Sequence, residues 1–269
     1  MWKKKFSIVE AISFGWKTAI NNLCLFIVGF VFNFIGYVVG YIAPNIITTS
    51  VQEGKLINVV IFLLFCFIFT VIGGFIVGFA FVKTALRFYD TGGKIKFGEL
   101  FSGFSSLFFK YLLGNIVYFL IVFGGLILVY IPLILVLFSR YLFRGFNSIF
   151  AIFSWIIFGI ALILLFVSWI IWILKFCLFG FLIVDKNLGV IDSLKMSSEI
   201  TKGTKWKLLV LFLLIGIMGY FVNLSMKFGG FFALTFAIVY SFTISIYSLA
   251  MAFIYRKLLT QSETEVERI

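Results

Sequence analysis

The side chains able to do acid–base or cation chemistry in this chain are few and narrow in kind. There is no histidine, which removes the commonest general base, metal ligand and physiological pH switch. A Ser–His–Asp or Cys–His arrangement is therefore impossible. What remains is a set of carboxylates: Glu10, Asp90, Glu99, Asp185, Asp192 and Glu199. Pairs of them have the chemistry to bind a cation or move a proton. Each stands near a Lys or Arg, so ion-paired helix faces are the expected use. Cys24, Cys66 and Cys177 lie in apolar runs with no CxxC spacing, which predicts neither a disulfide framework nor a zinc site. No phosphate-cradling Gly loop ending in Lys-Ser/Thr, no HExxH and no GxSxG occurs. The reading is of a non-enzyme with no catalytic residue, no metal and no cofactor.

The elements that position these groups follow from composition. Of 269 residues, 63% are hydrophobic and 12% charged, and 39 are Phe. A soluble domain is about half apolar and a quarter charged, so this chain needs lipid as its solvent. In lipid the backbone must satisfy itself, in helices or a closed barrel. The apolar runs are too long and too uniform for alternating barrel strands. About 20 apolar residues cross a bilayer. The runs at 23–43, 56–82, 111–138, 149–174, 206–222 and 229–254 predict an all-α, polytopic bundle of six spans, as one membrane domain over 1–269. Outer turns fall at 44–55, 139–148 and 223–228, with Pro44 opening the first. Pro132 is expected to kink the third span or mark its outer end. The stretch after Lys3, Lys4 and Lys5 carries Glu10, Lys17, Asn21 and Asn22, so no cleaved signal is expected.

Orientation follows from basic residues. Eighteen of the 22 Lys and Arg fall in the N-terminal segment, 83–110, 175–207 and the C-terminal segment; the other side keeps Lys55, Arg140, Arg144 and Lys227. The positive-inside rule then predicts a cell-membrane protein with both ends cytoplasmic. Trp16, Trp206, Trp169, Trp172 and Tyr255 fit interfacial belts at span ends.

A pattern recurs near every 90 residues: an amphipathic opening, then two spans. The openings are 6–23, 97–113 and 189–209, with early acids Glu10, Glu99 and Asp192. Unit ends also match, as KTALRFYDTGG (83–93), CLFGFLIVDKN (177–187) and MAFIYRKLLTQ (251–261), which align Asp90 with Asp185. The expectation is a threefold repeat with units near 1–90, 91–185 and 186–260, then a flexible acidic tail, 261–269.

The openings have helical periodicity. The first sets Phe6, Val9, Ile12, Trp16 and Ile20 against Glu10, Ser13, Lys17 and Asn21, with Ser7 and Glu10 spaced as a capping box. The second sets Phe97, Leu100, Phe101, Phe104 and Phe108 against Glu99, Ser102, Ser106 and Lys110. In the third, Asp192, Lys195, Glu199 and Lys202 form a stripe that Gly203 ends. Such helices lie in the interface, pack together as a cytoplasmic layer, or do both. Small residues at fourfold spacing, Gly36 and Gly40; Cys66, Thr70, Gly74 and Gly78; and Gly229, Ala233, Ala237, Ser241 and Ser245, predict close helix packing, with a polar path past Ser241 and Ser245 as the alternative. Asn33, Asn115 and Asn223 are candidate interhelical donors.

Lys175 is the intramembrane polar candidate, read as snorkelling to the interface or, in the minor reading, as a binding-site cation. The net charge of +12 lies mostly on the side read as cytoplasmic, where each Lys or Arg attracts anionic lipid by about 1 kcal/mol. Lys202, Lys205, Lys207, Lys17 and Lys110 are the lipid-headgroup candidates. The expected partners are membrane lipids, anionic ones among them, or a membrane protein, and no nucleic acid.

The stretch FLIVDKNLGVIDSLKMSSEITKGTKWKLLVLF (181–212) resembles a group of bacterial six-span membrane proteins, similar to the membrane domain that accompanies some glycerophosphodiester phosphodiesterases. Asp185, Leu194, Ser197 or Ser198, Thr201, Lys202 and Gly203 carry the likeness, with Ile131–Pro132 and Tyr255–Arg256 beyond it. It is specific over about thirty residues and loose elsewhere. These 269 residues hold no soluble phosphodiesterase barrel, so that activity is not carried over. The expected function is non-catalytic organisation of lipid or a membrane partner through the amphipathic helices, with a transporter or transporter subunit as the alternative.

Overall fold

A computed structural model describes residues 6–93, 98, 106–142, 148–225 and 230–266, and all regular structure among them is helical. The helices are α1 (Ile8–Asn21), α2 (Leu23–Gln52), α3 (Leu56–Thr91), α4 (Ser106–Leu142), α5 (Ser148–Phe176), α6 (Phe179–Lys186), α7 (Val190–Ile200), α8 (Lys205–Ser225) and α9 (Gly230–Val266). Four helices are long and apolar enough to cross a membrane, or up to six if each of two bent pairs counts as one span. The chain is thus a multi-pass, membrane-type helical protein.

The long helices pair as hairpins, α2 with α3, α4 with α5, and α8 with α9, and α9 also packs on α1, α2 and α3. The short helices α1, α6 and α7 gather at one end, the capped end. There α1 meets α2 at 88° and α7 meets α8 at 105°. The core sits toward this end, in Phe79, Ala85 and Phe88 of α3, Leu178 and Leu182, and Leu249, Ile254 and Tyr255 of α9. Far from it, α3 meets α2 among the described residues, with Phe69 stacked on Phe32 at 5.5 Å, and is otherwise bare, with Ile57 75% and Phe67 65% exposed. Such a helix is stable only in an apolar solvent or against a partner.

Four local expectations change. Pro44 opens no turn, because α2 runs through it to Gln52. Thr48 Oγ1 donates to the carbonyls of Pro44 (2.8 Å) and Asn45 (3.1 Å), and the chain reverses instead at Gly54, whose φ of 70° suits glycine. Pro132 does not mark the end of α4, which continues to Leu142. Ser7 holds the N-cap position of α1 with extended backbone but makes no capping bond; Glu10 turns instead to Lys257, at 3.0 Å. Residues 261–266 are not a flexible tail but the last turns of α9, tied back by Lys186 to Glu263 at 3.0 Å. Residues 143–147 and nearly half of the opening at 97–113, with Phe97, Glu99, Leu100, Phe101, Ser102 and Phe104, lie outside the described residues.

The small-residue stripes divide. On α9, Ala237, Ser241 and Ser245 are buried. Both hydroxyls donate to their own helix, Ser241 to Ala237 (2.8 Å) and Ser245 to Ser241 (2.9 Å). Asn33 Nδ2 crosses from α2 to Ser241 Oγ at 3.1 Å, while Asn115 stays on its own helix, at Tyr111 O. This is interhelical packing. On α2 and α3, by contrast, a methyl added at Gly36 or Gly74 meets nothing within 4 Å. Neither glycine serves close packing.

Candidate functional site at the capped end

Two polar constructions stand at the capped end. The first is centred on Arg256. Helix α9 carries Arg256 to the level where α3 ends with Asp90 and α6 with Asp185. Arg256 grips Asp185 in bidentate fashion, Nη1 to Oδ2 and Nη2 to Oδ1, each at 2.8 Å. Its Nη2 also donates to Asp90 Oδ2. Tyr255 Oη donates to Asp185 Oδ2 at 2.7 Å, and its ring stacks on Phe181 at 5.6 Å. The Arg256 and Asp185 side chains are 19% and 15% exposed. Charge-assisted, two-pronged bonds of this kind are the strong ones. Arg256 Nε is buried with no partner among the described residues. Asp90 at the end of α3 and Asp185 at the end of α6 therefore converge on the Arg256 guanidinium of α9. The carboxylates act as its counter-ions, and no group of three or more His, Cys, Asp or Glu able to hold a metal occurs among the described residues.

Below this layer Leu182, Ile254 and Tyr255 are fully buried. Deeper lies a cavity of about 380 Å³, whose polar lining comes from Asn33, Tyr111, Cys177, Tyr247 and Ser248, with Gly74 and Gly78 giving it room. Neither Lys175 nor Ser241 lines it.

The second construction repairs a broken helix. Between α5 and α6, residues 177 and 178 leave helical geometry, which frees the Lys175 carbonyl and the Leu178 N–H. Helix α7 supplies both partners. Ser197 Oγ accepts from Leu178 N at 3.2 Å and donates to Lys175 O at 3.1 Å. Thr201 Oγ1 also reaches Lys175 O at 3.3 Å. Ser193, Ser197 and Thr201 are fully buried and spaced by four on one face of the α7 segment; Ser197 and Thr201 bond the break, while Ser193 donates to Val190 O of its own helix at 2.7 Å. Gly203, at φ 77°, then turns the chain into α8.

This docking leaves Asp192, Lys195, Glu199 and Lys202 exposed and Leu194 and Ile200 buried, as their periodicity requires. A cleft of about 450 Å³ opens between the end of α5 and these residues, lined by Trp172, Lys175, Lys195, Ser198, Glu199, Lys202 and Lys205. Lys175 is thus at the capped end beside other lysines, not in the bundle interior. Among the described residues no ion pair satisfies Lys175, Lys195 or Lys205.

The five headgroup candidates part company. Lys202 and Lys205 line the cleft, and Lys17 is exposed on α1. Lys207 is committed elsewhere: its Nζ donates to Phe6 O and lies 5.1 Å from the Phe6 ring. Lys110 Nζ donates to Asn187 Oδ1 at 2.8 Å. The reason is position, since Lys207 meets the segment before α1 and Lys110 the turn between α6 and α7.

Helix α1 shows three faces rather than two. Ala11, Gly15 and Ala19 are buried, and a methyl on Gly15 would stand 2.4 Å from the Ile246 carbonyl oxygen, so α1 lies tight on α9. Val9, Trp16 and Ile20 point outward at 76%, 51% and 48% exposure, while Glu10 pairs with Lys257. The Trp169 indole N–H donates to Val122 O of α4 at 3.0 Å and so joins two helices.

Sequence reasoning finds Asp90, Asp185, Ser197, Thr201, Tyr255 and Arg256 but does not pair them. It misses Lys195 and Ser198 as cleft residues. The signal was present in the i, i+3 and i+7 spacing of Lys195, Ser198 and Lys202, which is one helix face. No family model, curated protein or solved structure matches the chain.

Proposed function

We propose that this is a six-span membrane protein with both termini in the cytoplasm, built from a threefold repeat and akin to the bacterial membrane group that residues 181–212 resemble. In this reading it is non-catalytic. It gathers anionic lipid, or docks a membrane partner, through the helices of its capped end. The observation that carries the reading is the outward side of α1. Val9, Trp16 and Ile20 are exposed on a helix that Ala11, Gly15 and Ala19 lock to α9, with Lys17 exposed beside them. Apolar residues below and lysines above are what an interfacial helix needs, and locking it spares the ordering cost of a free peptide. The three hairpins, each entered from the same end, support triplication, as does the meeting of Asp90, Asp185 and Arg256.

The test is quenching by brominated lipid in liposomes holding the full chain. Trp16 fluorescence, taken as the difference between parent and Trp16→Phe, is expected to be quenched by lipid brominated near the glycerol. Brominated phosphatidylglycerol should quench it more than brominated phosphatidylcholine. Equal quenching by the two lipids counts against lipid selection, and no quenching by either puts α1 away from the interface.

One observation favours a transporter or transporter subunit instead, namely the cavity lined by Asn33, Tyr111 and Tyr247. That reading requires a solute path into the cavity, past the Phe181 and Met251 that line it.

A further inference from the structure

Helix α8 joins two hollows of opposite character. At its first turn is the lysine cleft, to which Lys175, Lys195, Lys202 and Lys205 bring four ammonium groups against the one carboxylate of Glu199. Along the same helix runs an apolar groove of about 460 Å³ between α5 and α8, floored by Leu209, Phe212, Leu213 and Gly216 and closed by Tyr220. Lys205, Leu209, Leu213 and Gly216 recur at three or four residues, so they share one face of α8. From Leu209 to Tyr220 the helix advances about 17 Å, close to half of the roughly 30 Å hydrocarbon thickness of a bilayer.

We propose that these two hollows are one binding site for a single anionic phospholipid. The phosphate lies in the cleft among the ammonium groups of Lys175, Lys195 and Lys205, with the Ser198 hydroxyl as a further donor. One acyl chain lies in the α5–α8 groove, and Trp172 marks the glycerol level between them. The inference rests on the lipid reading of the previous subsection and sharpens it to a defined seat. Lysines in excess of the single Glu199 carboxylate attract a phosphodiester anion, and an apolar groove along the same helix fits a lipid rather than free phosphate. The neighbouring break between α5 and α6 matters here as well. By bonding Lys175 O, Ser197 and Thr201 hold the Lys175 backbone against α7, beside Lys195 and Ser198.

The experiment uses the full chain in mixed micelles of phosphatidylcholine and phosphatidylglycerol, with retained lipid counted by native mass spectrometry. Lys175→Gln/Lys195→Gln is expected to lower affinity for one tightly held phosphatidylglycerol by about 30-fold, two lysines at about 1 kcal/mol each. Lys186→Gln/Lys257→Gln removes the same charge elsewhere on the capped end, from residues paired with Glu263 and Glu10, and is expected to retain that lipid. Gly216→Leu puts a side chain into the groove at a position where a methyl meets nothing within 4 Å; with an unfolding midpoint matching the parent's, it too is expected to lose the tight lipid. If both lysine pairs weaken retention equally, the basic face acts as diffuse charge, which overturns the seat and leaves the lipid reading standing. If neither does, both fail. If Gly216→Leu retains the lipid, or inorganic phosphate displaces it from the parent, the cleft is a soluble-anion site and the lipid assignment falls.

Discussion

Arg256 holds Asp185 with both terminal nitrogens at 2.8 Å, across 71 residues of chain. The pair joins the last helix to the short helix that follows the break at 177–178, and Asp90 brings α3 to the same guanidinium. Removing one partner of such a buried pair leaves an uncompensated charge. Asp185→Asn is therefore expected to destabilise the fold by about 3–5 kcal/mol. Asp90, at 45% exposure, has solvent to replace its partner, so Asp90→Asn should cost well under half as much. Thermal unfolding in detergent is the readout. Equal losses for the two variants would mean that the bidentate pair carries no special weight. Replacing both charges, as Arg256→Met/Asp185→Leu, should recover part of the loss, because apolar substitutes lift the desolvation cost.

The serine face of α7 has its own signature. Ser197→Ala leaves the Leu178 N–H and weakens the hold on the Lys175 carbonyl, at about 1–3 kcal/mol for a buried unsatisfied group. Ser198→Ala, one residue away in the open cleft, should cost almost nothing. Hydrogen exchange at Leu178 distinguishes them: it should quicken in the first variant only. Unchanged exchange at Leu178 in Ser197→Ala would detach α7 from the helix break.

The glycines offer a contrast that sequence alone could not rank. Gly15→Ala drives a methyl toward the Ile246 carbonyl and should cost about 1–3 kcal/mol by overpacking. Gly36→Ala points into open space and should be neutral or stabilise by about 0.5–1 kcal/mol through helix propensity. Matching unfolding midpoints for the two would show that α1 does not press on α9.

Topology is checked by cysteine labelling in a background with Cys24, Cys66 and Cys177 changed to Ala. Ser50→Cys and Ser225→Cys should react from outside intact cells. Lys94→Cys and Glu265→Cys should react only after permeabilisation. Outside reactivity at position 94 would reverse the orientation.

The sequence was informative where one physical rule governs many residues. The apolar runs located the long helices, and the fourfold spacing of Ala237, Ser241 and Ser245 marked a packed face because a close helix contact admits nothing larger. It was uninformative where a local signal has two outcomes. Pro44 reads as a turn, yet a helix facing no competing structure carries it, and the reversal falls to Gly54. Gly36 and Gly74 share the spacing of packed glycines, but a methyl on either meets nothing within 4 Å, and Gly74 opens onto the cavity. The pairing of Asp90, Asp185 and Arg256 depends on how three hairpins assemble, which no local pattern encodes; only the matching unit ends hinted at it. The break at 177–178 is likewise invisible in an apolar run, because its partners lie 19 to 26 residues further on.

In the proposed function the capped end gathers anionic lipid by charge at the interface. The most direct measurement of this is the lipid composition retained by the parent protein in mixed phosphatidylcholine and phosphatidylglycerol, read by native mass spectrometry at low and at high salt. The account predicts phosphatidylglycerol enriched over its bulk share at low salt, with the enrichment reduced at high salt as screening shortens the reach of the lysines. Retention at the bulk ratio under low salt would contradict it.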